Sequence, residues 1–262
     1  MNKSQIFLSV GALALVAILY QLPRVVVEND QLQEVAASIE SHGMEIPPDV
    51  RSRMLELRRL MGEEENVDKK LNFAHSLASY YLDYGVLDSA VTLGEGMERL
   101  QNEPSELVAD VYFKAFERSQ SQSEAKEFSE KAKSVLEKLL DKDPSNLLLK
   151  NKLAMTLVTS ENPMTGIALL REVLAADENN RQAILNLGLL SIQSGQFDRA
   201  RERFEKLVSL DASDQEARLY LAVSMIEINE QSQAKLLLEE ILSSKDSIPA
   251  IKMMATDYLK GL

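Results

Sequence analysis

Apolar residues recur along this chain at intervals of three and four, the spacing of one face of a helix, and the pattern itself recurs every 34 residues from about residue 132 onward. Ala132, Gly166, Ala200 and Ala234 form one column; Leu136, Leu170, Phe204 and Leu238 form another. Leu139, Val173, Leu207, Ile241 and Leu140, Leu174, Val208, Leu242 follow in the same register. Upstream in each unit Leu153, Leu187 and Leu221 stand beside Ala154, Gly188 and Ala222. The unit boundaries carry Asp143, Asp177 and Asp211, then Asn146, Asn180 and Asp214. A fixed period of this length predicts one helical hairpin stacked on copies of itself to share a continuous core. Apart from Val25-Val26-Val27, no strand pattern competes.

Small residues within the period have physical reasons. Gly188 and Ala200 are expected where the two helices of a hairpin approach closely. Gly195 is expected to end a first helix, where positive φ is favoured. Asp143-Pro144 is expected to close one unit and open the next, because proline is tolerated in the first turn of a helix.

These columns resemble the tetratricopeptide repeat, a helix-turn-helix of 34 residues. The best copy is 181–214, where Ile184, Leu187, Gly188, Gly195, Phe197, Ala200 and Phe204 fill the family's signature places, with departures at Ser191, Leu207 and Ala212. Further copies are 147–180, 215–248 and a more distant 71–104, carrying Leu77, Ala78, Tyr81, Gly85, Leu87 and Ala90. Residues 105–146 span 42 positions, eight more than the period, and the excess falls near the Ser/Gln run 119–123. A longer first helix or turn is expected to absorb it. Residues 249–262 are expected to form a capping helix. The resemblance therefore implies an all-α, right-handed superhelical solenoid of about five hairpins, occupying residues 67–262 as one elongated domain.

Residues 1–5 form a short tail, and Ile6 to Leu22 is an apolar stretch of 17 residues, roughly 25 Å long as a helix. That length is near the lower limit for a membrane span. Gln21 to Asp30 holds no Ala, Gly or Ser to suit signal cleavage. An uncleaved transmembrane anchor is therefore expected at residues 6–22. Lys3 and the amino terminus narrowly outweigh Arg24, which places the bulk of the chain outside the cytoplasm, in a bacterium the periplasm. Between anchor and repeats, residues 23–66 read as a linker with two helices. The first is Gln31 to Ser41, ended by His42-Gly43; the second runs from Asp49 to Met61 after Pro47-Pro48, with Met54, Leu57 and Met61 on one side.

The formal charge is −12; residues 1–24 carry Lys3 and Arg24 but no acid, which leaves −14 on the remainder. Nucleic acid is disfavoured as a partner, since it needs a basic surface. Cysteine is absent, which removes disulfides, thiolate metal sites and cysteine nucleophiles. The two histidines, His42 and His75, sit in no ligand motif, and neither a dinucleotide loop nor GxxxxGK[ST] occurs. No catalytic residue, cofactor, metal or small-molecule substrate is expected.

In this family, ligands are held mainly by the first helix of each repeat, on the concave face. The resemblance maps those places onto Leu148, Asn151, Met155, Val158 and Thr159, then Gln182, Leu185, Leu189, Ile192 and Gln193, then Glu216, Leu219, Val223, Ile226 and Glu227. Met155, Val158, Leu185, Leu189, Ile192, Leu219, Val223 and Ile226 would form an apolar stripe, the expected groove for a protein partner. The competing reading is that they pack against neighbouring helices. The lysines and asparagines with which some relatives clamp a terminal carboxylate are not matched. The expected function is a membrane-anchored adaptor in envelope protein biogenesis or complex assembly, similar in layout to single-span bacterial repeat proteins that assist the secretion translocon or cytochrome c maturation. A holdase-like periplasmic chaperone is the alternative, and a mitochondrial receptor facing the cytosol is a third reading for a eukaryotic source.

Overall fold

The computed structural model describes residues 46–158 and 163–262, and within them every regular element is an α-helix. The anchor expected at 6–22 and the helix expected at 31–41 lie outside the described residues, as does Thr159. Among the described residues no helix is long and apolar enough to cross a membrane. The chain divides into two compact units, one ending at Leu100 and one running Gln101–Leu262, where the repeat predicts a single continuous domain.

In the first unit, α1 (Pro48–Glu63) packs on α2 (Val67–Asp83), which is followed by α3 (Leu87–Gln101). Met54 and Leu57 are buried, whereas Met61, expected on the same side, is half-buried. Asn66 caps α2 by accepting from the Lys69 amide. Of the six residues that carried the distant copy, Leu77, Ala78, Tyr81, Leu87 and Ala90 are core and Gly85 is half-buried.

The second unit holds four hairpins and a final helix. The pairs are α4 (Glu106–Arg118) with α5 (Gln122–Lys142), α6 (Leu147–Val158) with α7 (Pro163–Ala176), α8 (Arg181–Gln193) with α9 (Phe197–Leu210) and α10 (Gln215–Glu227) with α11 (Gln231–Ser243). α12 (Pro249–Lys260) covers α11 and touches α10, burying Ala255. Each second helix also packs on the first helix of the next pair, and first helices touch one another along the stack. The column residues Ala132, Ala200 and Ala234 are wholly buried, as are Leu136, Leu170, Phe204 and Leu238. The periodic apolar positions are thus the shared core.

Boundary residues explain the sharp registration of the hairpins. Asn146, Asn180 and Asp214 accept from the amides of Leu149, Ala183 and Ala217 at 3.0–3.1 Å, each capping a first helix. Three residues earlier, Asp143, Asp177 and Asp211 accept from the amides of Ser145, Asn179 and Ser213, holding the turn between units. Pro144 therefore lies in that turn, ahead of the cap, rather than in the first turn of α6. Within hairpins, Gly85, Gly195 and Asn229 take φ of 69°, 70° and 65°. The next amide donates back to Tyr81, Ser191 and Met225 in turn, a Schellman closure that needs a left-handed residue.

The long unit 105–146 departs from expectation. Its first helix has 13 residues, like α8 and α10, and its hairpin turn is as short as theirs. The excess is in α5, which has 21 residues against the 14 of α9. Ser121 and Glu124 form a reciprocal capping box that starts α5 early, and Phe128, 1% exposed, gives the added turns an apolar anchor.

Candidate partner-binding cleft

The eight residues expected to line an open apolar groove divide into two groups. Leu185, Leu219 and Val223 are buried, at 4%, 1% and 7% exposure, so these three are core rather than groove. Leu189, Ile192 and Ile226 are half-buried and pack against the same core; Met155 packs against the neighbouring cluster around Ala154 and Leu170, and Val158 is half-buried. Adjacent first helices touch, and an apolar side chain at their seam lowers its free energy by packing there. The competing reading of the stripe accounts for this placement.

A cleft does open on the first-helix side, one pair further toward the amino terminus. It encloses about 200 Å³ between α4, α6 and α8. From α4 it is lined by Asp110, Phe113, Lys114 and Glu117; from α6 by Leu148, Asn151 and Lys152; from α8 by Gln182 and Asn186. Leu148, Asn151 and Gln182 are among the positions the resemblance mapped, and the others are not. One signal for the rest was available. Asp110 and Lys152 stand 42 residues apart, the length of the long unit, so opposite charges occupy one register position in adjacent repeats.

Charge and amide chemistry dominate this surface. Asp110 lies between two ammonium groups, Lys114 at 2.8 Å and Lys152 at 3.1 Å, and Lys152 also sits 5.8 Å from the centre of the Phe113 ring. Desolvation pushes the Glu117 carboxyl above the usual carboxylate range, and Asp110 adds to this, while Arg118, Lys152 and Lys114 oppose it. Asn151 is 2% exposed; its Nδ2 donates to the Leu147 carbonyl at 3.0 Å and to Asn180 Oδ1 at 3.1 Å. The α8 cap is thereby tied to the cleft floor. Asn151 Oδ1 is buried and has no hydrogen-bond partner among the described residues. Gln182 Nε2 donates to Asn186 Oδ1 at 3.0 Å, while Leu148 stands 56% exposed at the edge.

Stacked hairpins with a 34-residue register, Schellman turns and capped boundaries are the geometry the sequence resemblance implied, and a family model described as tetratricopeptide repeat matches residues 191–257. The chain carries tetratricopeptide repeats. Among solved structures, a tetratricopeptide repeat protein from Parabacteroides merdae is 17% identical, with 89% of this chain and 88% of that one covered at a TM-score of 0.55. A thermophilic TPR protein of Thermus thermophilus is 15% identical over 72% of this chain and 99% of its own, also at 0.55. At these identities the likeness shows the fold. No curated protein matches the chain. Among the described residues no group of His, Asp or Glu is placed to hold a metal ion. At about 200 Å³ the cleft is also smaller than the roughly 300–1,000 Å³ of most small-molecule sites. Its size suits one or two side chains of a docked segment.

Proposed function

We propose that the chain is a membrane-anchored adaptor that receives a segment of a protein partner in the α4–α6–α8 cleft, with residues 6–22 as the anchor and the repeats outside the cytoplasm. The observation that carries the binding site is the cleft itself, an opening of about 200 Å³ lined by charged and amide side chains, with an exposed apolar residue, Leu148, at its edge. The anchor rests on the uncharged run in the sequence. Burial of Leu185, Leu219 and Val223 removes the broad apolar surface that a holdase would need, and so favours the adaptor.

A photo-crosslinking residue placed at Leu148 of the full-length chain in its native membrane tests this reading. A discrete adduct is expected, absent when the crosslinker stands instead at Leu236, an exposed residue of α11, and lost when Asn151→Ala is added. A smear of many products would support the holdase, and no adduct at Leu148 would remove the cleft as the site. Resistance of the full-length chain to carbonate extraction tests the anchor separately, and recovery of a mature chain lacking Met1 to Tyr20 would reverse it.

A further inference from the structure

The chain has 41 acidic residues against 29 lysines and arginines, and many of its structured cations pair with carboxylates. Lys150, Arg181, Arg201 and Arg218 all pair with Asp or Glu side chains. Three neighbouring arginines do not. Arg171 on α7 and Arg199 and Arg203 on α9 have no carboxylate partner among the described residues, although Glu202 stands beside Arg203 in sequence and favours its charge.

This patch is held in place rather than left to wander. Arg203 Nη1 donates to Ser191 Oγ at 2.5 Å and to the Arg199 carbonyl at 3.3 Å. Ser191 departs from the aromatic residue of the repeat signature and is 6% exposed, so its small side chain makes room for the guanidinium against α8. Arg199 Nη1 donates to Gln196 Oε1 at 2.6 Å, and Gln196 Nε2 in turn donates to Ser194 Oγ at 2.8 Å. Lys206 Nζ reaches the Glu178 carbonyl at 2.6 Å, which ties the α9 face bearing Arg199 and Arg203 to the turn that follows α7. Burial first, then the like charges of Arg199 and Arg171, lower the pKa of Arg203. An arranged set of like charges, each guanidinium keeping most of its five donors, is poised for an anionic ligand.

We propose that Arg171, Arg199 and Arg203 form a second docking surface, on the second helices of the repeats, for an acidic segment of a protein partner bearing two or three clustered Asp or Glu side chains. Arg199 and Arg203 lie one helical turn apart on α9 and the charge of Arg171 on α7 is near enough to act on Arg203, so carboxylates spaced along a short segment can each meet a guanidinium. Charge complementarity selects the occupant. A chain at −12 repels an extended polyanion such as nucleic acid or an anionic bilayer over its whole surface. A short acidic segment feels mainly the patch, because screening confines the interaction to about 8–10 Å.

Fluorescence anisotropy of labelled hexaglutamate titrated with the full-length chain in non-ionic detergent tests the proposal. Saturable binding at about 0.1 M salt is expected, weakened at least tenfold by Arg171→Gln/Arg199→Gln and less than twofold by Arg51→Gln/Lys138→Gln, which removes the same charge from exposed sites elsewhere. Arg171 and Arg199 are exposed, and a matching thermal midpoint verifies that the variant is folded. Arg203→Lys, which keeps the charge but loses the fork, should weaken binding by an intermediate factor. Absence of hexaglutamate binding, equal losses in the two double variants, or tighter binding of hexathymidylate or phosphatidylglycerol vesicles would each overturn it. Leu148 crosslinking should be unaffected by these substitutions, so the two surfaces fail or hold independently.

Discussion

Gly188 and Phe204 form a matched pair whose energetics can be worked from the structure. A Cβ built on Gly188 would stand 2.5 Å from Phe204 Cζ, 2.7 Å from Cε1 and 3.1 Å from Cε2. Relief requires the ring to retreat by about 1 Å. Phe204 is wholly buried and stacks on Tyr220 at a centroid distance of 5.5 Å, so it has little room. Overpacking of this kind costs about 1–3 kcal/mol. Replacing a mid-helix glycine by alanine returns up to about 1 kcal/mol of backbone entropy. Gly188→Ala should therefore destabilise by roughly 1–2 kcal/mol, or a few degrees in thermal midpoint at about 2–4 °C per kcal/mol. Phe204→Leu alone leaves a void and should cost roughly 1–2 kcal/mol, less than the ~3–5 of truncation to alanine. The flanking repeats use the other solution, with Ala154 and Leu170, and Ala222 and Leu238, at the same places and all wholly buried. Combining Gly188→Ala with Phe204→Leu should accordingly restore stability to near that of the parent, a coupling of about 2–4 kcal/mol, the sum of the two single losses. Urea titration followed by circular dichroism of the four proteins measures the cycle. Additive losses within about 0.5 kcal/mol, or a stabilised Gly188→Ala, would refute the steric argument.

Gly166→Ala should cost more, roughly 3 kcal/mol, because its Cβ would meet backbone, the Ala154 carbonyl at 2.4 Å and the Val158 amide nitrogen at 3.0 Å; an unchanged urea midpoint would contradict this. Asn229 holds φ of 65° where Gly195 serves the same turn in the preceding repeat, so Asn229→Ala should destabilise by about 1 kcal/mol and Asn229→Gly should be neutral or slightly stabilising, read from the same titrations. Burial raises the Asp214 carboxyl, but the Arg181 bonds at 2.7 and 3.1 Å and the Ala217 amide outweigh it and hold the pKa below the usual carboxylate range. A depressed pKa contributes stability above the unfolded value of about 3.9 that is lost as pH falls through the folded one. Asp214→Asn keeps the cap, as Asn180 does, so it should cost about 1 kcal/mol at pH 7, discounted for the half-exposed Arg181, and nothing near pH 2; a difference that persists into acid would count against the ion pair.

Some features were legible because they are local or periodic. Asn146, Asn180 and Asp214 cap the helices that follow them, and Gly195 takes the left-handed turn, since both depend on hydrogen bonds within a few residues. The 34-residue apolar columns identify the shared core because each copy must bury the same face against the next. The long unit was located but misassigned. Its eight extra residues follow α4, yet whether they extend a helix or a turn depends on Phe128 finding an apolar site, which is a tertiary matter.

The groove shows the division most clearly. The family resemblance mapped Leu148, Asn151 and Gln182 to first-helix positions, and these three line the cleft. It could not decide which side chains at these places remain open. Leu185, Leu219 and Val223 satisfy the same register rule, yet adjacent first helices close over them, since burying apolar area at the seam is favourable wherever two helices meet. Asp110, Lys114 and Lys152 line a cleft one pair away, where ionised groups favour contact with water over close apolar packing. Periodicity sets which residues face one another across the stack, whereas the balance of apolar burial against desolvation, decided only in three dimensions, sets where the stack leaves room for a partner.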